Sequence, residues 1–448
     1  MPRLVIAGVS GDAGKTVVSL ALLLAARQRG IPARAFKKGP DYIDAAWLTW
    51  AAGCPARNLD TYLMGFPGAA GSFARHASPG ALNLVEGNRG LYDGVDAAGT
   101  HSTAELAKAV DAPVVLVLNS TKLTRTAAAL VLGCQALDPE VRIVGVILNQ
   151  VANARHERTM REAIEWSCGI PVVGAVRRLD GLVPGRHLGL VPPAEFETAE
   201  ALRQRLLEVA AGLDFDRILA LAGPDILALE AVPSGVPVPR VKVGYLSDSA
   251  FTFYYPDNLE ALQQAGAELV PISALEAPAL PEGLNALYIG GGFPETHAAR
   301  LAGNRGFLDS LRRTAEAGLP VYAECGGLML LARAIRWKGE TYPMAGVFGF
   351  DVEVCARPQG HGYSRLRVDR PNPFFAEGTM LAGHEFHYSH IVSNGEIPDT
   401  ACAVERGAGT YCGRDGLVIH KVWASYTHIH ALSNPHWALA LTKVPPGA

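Results

Sequence analysis

The chain has 448 residues, 49% of them hydrophobic and 19% charged, with a formal net charge of −3. Those values exclude a disordered chain and predict two domains of about 200 residues, each with its own core. With no net positive charge and no Lys/Arg stripe, nucleic acid is not an expected partner.

The N-terminal "MPRLVIAG" reads as the start of a strand, not a signal peptide. The longest apolar run, Val17 to Ala26, is too short to span a bilayer. Strand candidates follow at "RLVIAGVS" (3–10), "ALNLVEG" (81–87), "APVVLVLNS" (112–120) and "VRIVGVILNQ" (141–150). Helical patterns separate them, beginning with "KTVVSLALLLAARQRG". Strands apolar on both faces and alternating with helices predict a parallel sheet in an α/β domain. "AVPSGVPVPR" (231–240) holds three prolines in ten residues and predicts a linker between domains at 1–232 and 240–448. Beyond it come "VKVGYLS", the helix "PDNLEALQQAG", "AELVPIS", "ALYIGGG" and "LPVYAEC", a second α/β alternation. The last strand is expected to lead into a helix, "GLMLLARAI". The seven cysteines are widely spaced, with no C-x-x-C pair. That pattern predicts reduced thiols and a cytoplasmic location.

"GVSGDAGKTVV" (8–18) follows a strand and opens a helix. Gly11, Gly14 and the helix start would turn N–H groups toward an anion. Lys15 would reach the β/γ-phosphates of ATP, and the Thr16 hydroxyl would bind Mg²⁺. Gly8 and Gly14 are separated by five residues, one more than the strict G-x-x-x-x-G-K-[ST] pattern allows, whose first glycine would fall on Val9. The plain alternative is a glycine-rich strand–helix turn. Acidic partners for the metal are offered by Asp41 and Asp44 in "KKGPDYIDAAW", and by Glu86 at the end of an apolar strand. A carboxylate there packs poorly but suits Mg²⁺. The Asp pair could instead belong to a turn, and Glu86 could cap a helix. Asn149 sits where an α/β nucleotide fold often reads a base, though a turn asparagine is equally consistent. Arg186 and His187 in "PGRHLG" could contact nucleotide or substrate, or lie in a solvated loop.

In "LPVYAECGGLMLLA" (319–332), Cys325 stands between a strand and a helix, followed by Gly326 and Gly327. Such an elbow projects a thiol from the sheet edge, where N–H groups stabilise its thiolate. Gly326 can supply an oxyanion-hole donor, and Gly291 and Gly292 of "YIGGGFPE" a second. His428 and His430 in "ASYTHIHALSNP" offer a base. The alternative is a small buried cysteine that only packs.

Taken in order, "FKKGPDYID", "RNLDTYLM", "EGNRGLYDG", "PGRHLGL", "FTFYYPDNL", "GGGFPE", "AECGGLM", "GHEFHYS" and "ASYTHIH" resemble the cobyrinic acid a,c-diamide synthases. These are glutamine-dependent amidotransferases of corrinoid synthesis. The resemblance runs over nearly the whole chain. It implies an N-terminal P-loop domain like dethiobiotin synthetase, which shares the wider glycine spacing. It also implies a C-terminal class I glutaminase-like, flavodoxin-like domain. Cys325 falls on the family's nucleophile and His428 on its histidine. Class I glutaminases usually carry Glu two residues after that histidine; here the slot holds His430, so the group orienting His428 is left open. The implied reaction uses ATP, Mg²⁺, glutamine and a tetrapyrrole polycarboxylate. Lys15, Thr16, Asp41 and Glu86 serve the phosphoryl group and metal, and Asp44 and Asp93 the substrate. Hydrogenobyrinic acid, nickel sirohydrochlorin and sirohaem are alternative substrates for the same chemistry, and the synthetase relatives suggest a homodimer. Two other classes of function stand against this one. One is a P-loop ATPase whose second domain only binds a ligand. The other is a tetrapyrrole carrier, against which the intact G-K-T and C-G-G argue.

Overall fold

The computed structural model describes all residues except 1, 179–184, 187–188, 191–192, 194–198, 224–239, 394–398 and 444–448. The chain divides into two compact units, Met1–Val232 and Pro233–Ala448. His187 and residues 231–239 of the expected linker lie outside the described residues.

The first unit runs β1 (Arg3–Gly8), α1 (Lys15–Gln28), β2 (Ala33–Lys38), α2 (Tyr42–Ala52), β3 (Arg57–Leu59) and α3 (Thr61–His76). It continues with β4 (Leu82–Gly90), α4 (Thr103–Ala109), β5 (Val114–Asn119), α5 (Thr126–Leu137), β6 (Ile143–Val151), α6 (Ala154–Cys168) and β7 (Val172–Arg177). A ribbon of β8 (Gly185–Arg186) and β9 (Gly189–Leu190) and two helices, α7 (Ala199–Ala211) and α8 (Phe215–Leu221), follow. Among the described residues, β1 to β7 form one parallel sheet in the order β3-β2-β4-β1-β5-β6-β7. Val5, Val85, Leu116 and Leu148 are buried along its centre. This is the arrangement expected of strands apolar on both faces. Asp41 and Asp60 cap α2 and α3, each accepting from two backbone N–H groups. Two of the sequence motifs, "GPDYID" and "NLDTYLM", are therefore helix starts.

The second unit begins with β10 (Val241–Leu246), α9 (Pro256–Gln264), β11 (Ala267–Ile272) and β12 (Ala286–Ile289). Then come α10 (Ala298–Gly303), α11 (Arg305–Glu316), β13 (Val321–Glu324) and α12 (Gly326–Leu331). Strands follow: β14 (Ala334–Trp337), β15 (Glu340–Pro343), β16 (Asp351–Val354), β17 (Gly360–Val368), β18 (Met380–His387) and β19 (Ser389–Val392). The unit closes with β20 (Thr400–Arg406), β21 (Arg414–Ile419), β22 (Val422–Ser425), β23 (His428–Ile429) and α13 (His436–Leu441). The main sheet, β11-β10-β12-β13-β22-β21-β20-β17-β18-β23, is parallel through β22 and antiparallel beyond it. A smaller sheet has the order β15-β14-β16-β19.

The expected helix "GLMLLARAI" is shorter than its apolar run. It ends at Leu331, and Ala334–Trp337 is a strand of the smaller sheet. Ile335 pairs there with Tyr342 and Val352, and these tertiary partners override the local pattern. No helix among the described residues is long and apolar enough to cross a membrane.

Candidate active sites

The first site lies at the carboxyl ends of β1, β2 and β4. Register alone brings its charged groups together: Glu86 on β4 pairs with Ile6 on one side and Lys37 on the other. The loop after β1 turns through Gly14, whose φ of 100° favours glycine. A Cβ on Gly14 would lie 2.0 Å from Nδ2 of Asn149. That amide donates to the Ala13 carbonyl at 2.8 Å, so Asn149 braces the loop from β6. Lys15 is buried, and its Nζ donates to Arg89 O at 2.6 Å and Ser10 O at 3.3 Å. Burial, then the neighbouring Lys37, lowers its pKa. The Thr16 hydroxyl donates to Glu86 Oε1 at 2.9 Å.

Lys37, which sequence reasoning did not single out, is the hub of this cluster. Its Nζ donates to Glu86 Oε1 at 2.8 Å and to Asp44 Oδ2 at 2.5 Å. Burial opposes the ammonium charge, but Asp44 and Glu86 outweigh it and raise the pKa. Glu86 is fully buried, which raises its own pKa against the pull of Lys37. Its Oε2 has no hydrogen-bond partner. Asp41 Oδ1 accepts from Ile43 N and Asp44 N, both at 2.9 Å. Burial and the nearby Asp44 charge push Asp41 up to about 6. Asp93 closes a turn, accepting from Gly90 N at 2.8 Å. Arg186 lies on β8, in the short ribbon.

The second site surrounds Cys325. This residue follows β13 with φ 49° and ψ −99°, a positive φ rare outside glycine. Its N–H donates to Ser425 O of β22 at 2.7 Å, which pins the elbow. The thiol is buried, and burial, then the charge of Glu295, raises its pKa well above the usual range. The Gly326 N–H partly offsets this. Gly292 N lies 3.0 Å from where a Cβ on Gly326 would stand, so the glycine run packs directly against the elbow. "FTFYYPDNL" holds this run in place. Phe253 N donates to Gly291 O at 3.1 Å, and Gly290 N donates to the Tyr254 hydroxyl at 2.8 Å.

His428 is buried on β23, with its ring edge against Gly291. A Cβ on Gly291 would lie 2.6 Å from Cε1 and 3.3 Å from Nε2. Two supports fix its strand. Asn258 donates to Ile429 O at 2.9 Å and accepts from Ala431 N at 2.7 Å. Asp415, buried on β21, accepts from the Ser425 hydroxyl at 3.0 Å and from Thr427 N at 3.4 Å. His384 of "GHEFHYS" stacks on His428 with ring centroids 5.0 Å apart, and burial holds its pKa well below the usual value. His430 does not face the thiol's base. Its Nδ1 accepts from Leu432 N at 3.2 Å, and its Nε2 lies 3.9 Å from Asp257 Oδ2. The side chain facing Nδ1 of His428 is Glu324, at 3.4 Å. Glu324 is another group the sequence displayed, as a lone acid in an apolar strand, without revealing its partner.

Residues 4–190 match the family described as the CobQ/CobB/MinD/ParA nucleotide binding domain, and residues 242–436 the CobB/CobQ-like glutamine amidotransferase domain. A protein of Magnetococcus marinus named cobyrinate a,c-diamide synthase is 43% identical over 459 residues, covering 99% of this chain and 97% of that one. Proteins of the same name from Methanothermobacter thermautotrophicus and Archaeoglobus fulgidus are 40% and 38% identical. They cover 98% and 99% of this chain, and 99% and 97% of their own lengths. The chain, with a nucleotide-binding unit and a glutamine amidotransferase unit, belongs to the cobyrinate a,c-diamide synthase family.

Proposed function

We propose that the protein amidates the a and c carboxylates of cobyrinic acid, using ATP to form acyl phosphates and glutamine as nitrogen donor. The observation that carries this reading is the presence, in one chain, of Lys15, Thr16 and Glu86 at a phosphate loop, and of Cys325 on a strand elbow whose neighbouring glycine run, at Gly291, packs against the His428 ring. Full-length relatives bear the name of that activity.

A carboxylate is a poor electrophile, and phosphorylation supplies a leaving group. The Gly11–Thr16 loop would cradle the phosphates of ATP, with Lys15 reaching the β/γ oxygens. The residues fit Mg²⁺. Glu86 Oε2 is buried and unpartnered, and the Thr16 hydroxyl lies beside the same carboxylate. One or two protein oxygens completed by phosphate and water suit this ion. When bound, Mg²⁺ supplies neutralisation of phosphate charge. Asp41 would act there through the oxygen its helix cap does not use. Asp44 is tied to Lys37, so its part in substrate binding would run through that lysine.

In the other unit, Cys325 would attack the glutamine side-chain amide. His428 takes the thiol proton and returns it to the departing ammonia, while glutamate is released from the thioester by water. Gly326 and Gly292 N–H groups would receive the oxyanion. Ammonia then displaces phosphate from the acyl phosphate. Repetition at the second carboxylate gives the diamide.

The test measures ADP and glutamate release with Mg²⁺ATP, glutamine and a panel holding cobyrinic acid, hydrogenobyrinic acid, nickel sirohydrochlorin and sirohaem. Cobyrinic acid should elicit both products. ADP release with none of the panel would sink the ligase reading, and a better response to another member would reassign the substrate. Cys325→Ala should lose glutamine use yet accept free ammonia, whereas Lys15→Ala should lose synthesis with either nitrogen source.

A further inference from the structure

We infer that Glu324 is the positioning carboxylate of the glutaminase base, holding His428 for its work on Cys325. The inference rests on the Cys325–His428 reading above. A catalytic imidazole needs its far nitrogen fixed, both to set the tautomer and to stabilise the imidazolium formed when it takes the thiol proton. The sequence slot two residues after the histidine holds His430, which accepts from Leu432 N and packs at a tilt against the Tyr255 ring, centroids 4.7 Å apart. Its Nε2 lies 3.9 Å from Asp257 Oδ2, and the carboxylate at Nδ1 of His428 is that of Glu324.

Glu324 meets each requirement. It is fully buried at the end of β13, one residue before the nucleophile. Its Oε2 lies 3.4 Å from His428 Nδ1, and its Oε1 accepts from Ile429 N at 3.1 Å. One carboxylate therefore holds both the ring and the backbone of the strand that carries it. The Tyr288 hydroxyl donates to Oε2 at 3.2 Å. A buried acid with donors on both oxygens is fixed in place. With Nδ1–H directed at this carboxylate, Nε2 is left as the acceptor, and that edge of the ring is the one against Gly291. The proton leaves Sγ for Nε2 and departs with ammonia; Glu324 gains no proton. The acid precedes the nucleophile in the chain instead of following the base. The positive φ of Cys325 makes this feasible, since the chain turns sharply between Glu324 and the helix that follows.

A carboxylate that only ties β13 to β23 would affect folding but not turnover. The variant Glu324→Gln keeps an acceptor for Ile429 N–H and removes the charge. In the full-length protein, kcat for glutamine hydrolysis should fall about a hundredfold or more. The KM for glutamine should stay within about threefold. In a His428→Asn background the same change should cost no further turnover, because Gln keeps the acceptor for Ile429 N–H and the charge it removes acts on turnover through that ring. A kcat within threefold of the parent, or a loss that adds to that of His428→Asn, would overturn the inference. If Glu324→Gln does not fold, Glu324→Asp keeps the charge but withdraws it by one methylene. It should lose about tenfold in kcat at constant KM, and parent-like turnover would be the overturning result. Controls separate the layers. Loss of hydrolysis in Cys325→Ala and His428→Asn with an unaffected Glu324→Gln rejects this inference alone. Retained hydrolysis in Cys325→Ala rejects the Cys–His reading beneath it.

Discussion

Gly291→Ala should disable glutamine use by displacing His428. The added Cβ would stand 2.6 Å from His428 Cε1 and 3.3 Å from the Phe253 ring. Carbon atoms settle at about 3.5 Å or more, so roughly 0.9 Å of movement is needed. The backbone of Gly291 has little room to yield, because Phe253 N holds its carbonyl at 3.1 Å and Tyr254 holds the preceding N–H at 2.8 Å. Gly291 has no positive φ, so the substitution adds no backbone strain. The imidazole must therefore move, and it is buried between Glu324 and the stacked His384 ring. A misplacement of about 1 Å costs on the order of a hundredfold in rate, or about 2.7 kcal/mol of barrier. Overpacking adds about 1–3 kcal/mol of lost stability. The assay compares glutamate release with ammonia-driven ADP release in the same preparation. The first should fall about a hundredfold, and the second should stay within twofold of the parent. Glutamate release within threefold of the parent would show that His428 tolerates the intrusion and refute the reasoning. Equal loss with both nitrogen sources would refute it too, by showing damage beyond the glutaminase site.

Lys37→Met should destabilise the protein by about 3–5 kcal/mol, because it strands Glu86 and Asp44 without their buried cation. Thermal melting would show it, and the deficit should shrink on acidification as Glu86, whose burial raises its pKa, takes up a proton. Asp41→Asn keeps an N-cap acceptor but removes a titrating group whose folded pKa, about 6, lies above its unfolded value. The folded parent binds a proton there that the unfolded chain has released, so the parent loses stability as pH rises from about 4 to 6. The variant should gain about 1 kcal/mol relative to it over that range, discounted for partial exposure; parallel melting curves across those pH values would contradict this. Gly14→Ala combines a φ of 100° with a Cβ 2.0 Å from Asn149. It should abolish synthesis with glutamine or ammonia. Adding Asn149→Ala should relieve the clash but not the backbone strain, so activity recovered to the parent level would count against the account.

The parts of both sites that were legible in the sequence are those whose signals are local. A strand, a glycine loop and G-K-T lie within a dozen residues, as do the strand, Cys325 and two glycines of the elbow. Backbone geometry forces those residue types, so the spacing alone reveals them. Lys37 was quoted within a motif and passed over, because two adjacent lysines read equally well as a solvated pair. Only strand register shows that Lys37 faces Glu86. The helix expected over "GLMLLARAI" failed for a related reason. An apolar run fits both periods, and the pairing partners of Ile335 that decide it lie in other strands. Asn149 shows in the sequence only as an asparagine late in an apolar strand, because its partner, the Ala13 carbonyl, is 136 residues away in sequence.

The same reasoning explains why the nucleophile was easier to find than its machinery. Burial raises the pKa of the Cys325 thiol, so the elbow by itself does not favour a thiolate. On the function proposed above, reactivity comes from His428, whose position is set by contacts distant in sequence: the Gly290–Gly292 run, Asn258, Asp415 and Glu324. The run itself is held by Phe253 and Tyr254. Each support is an unremarkable residue type in an apolar or glycine-rich stretch, and none carries a spacing rule. On this view the motifs "FTFYYPDNL", "GGGFPE" and "ASYTHIH" are one device distributed along the chain, and its function is the placement of a single imidazole.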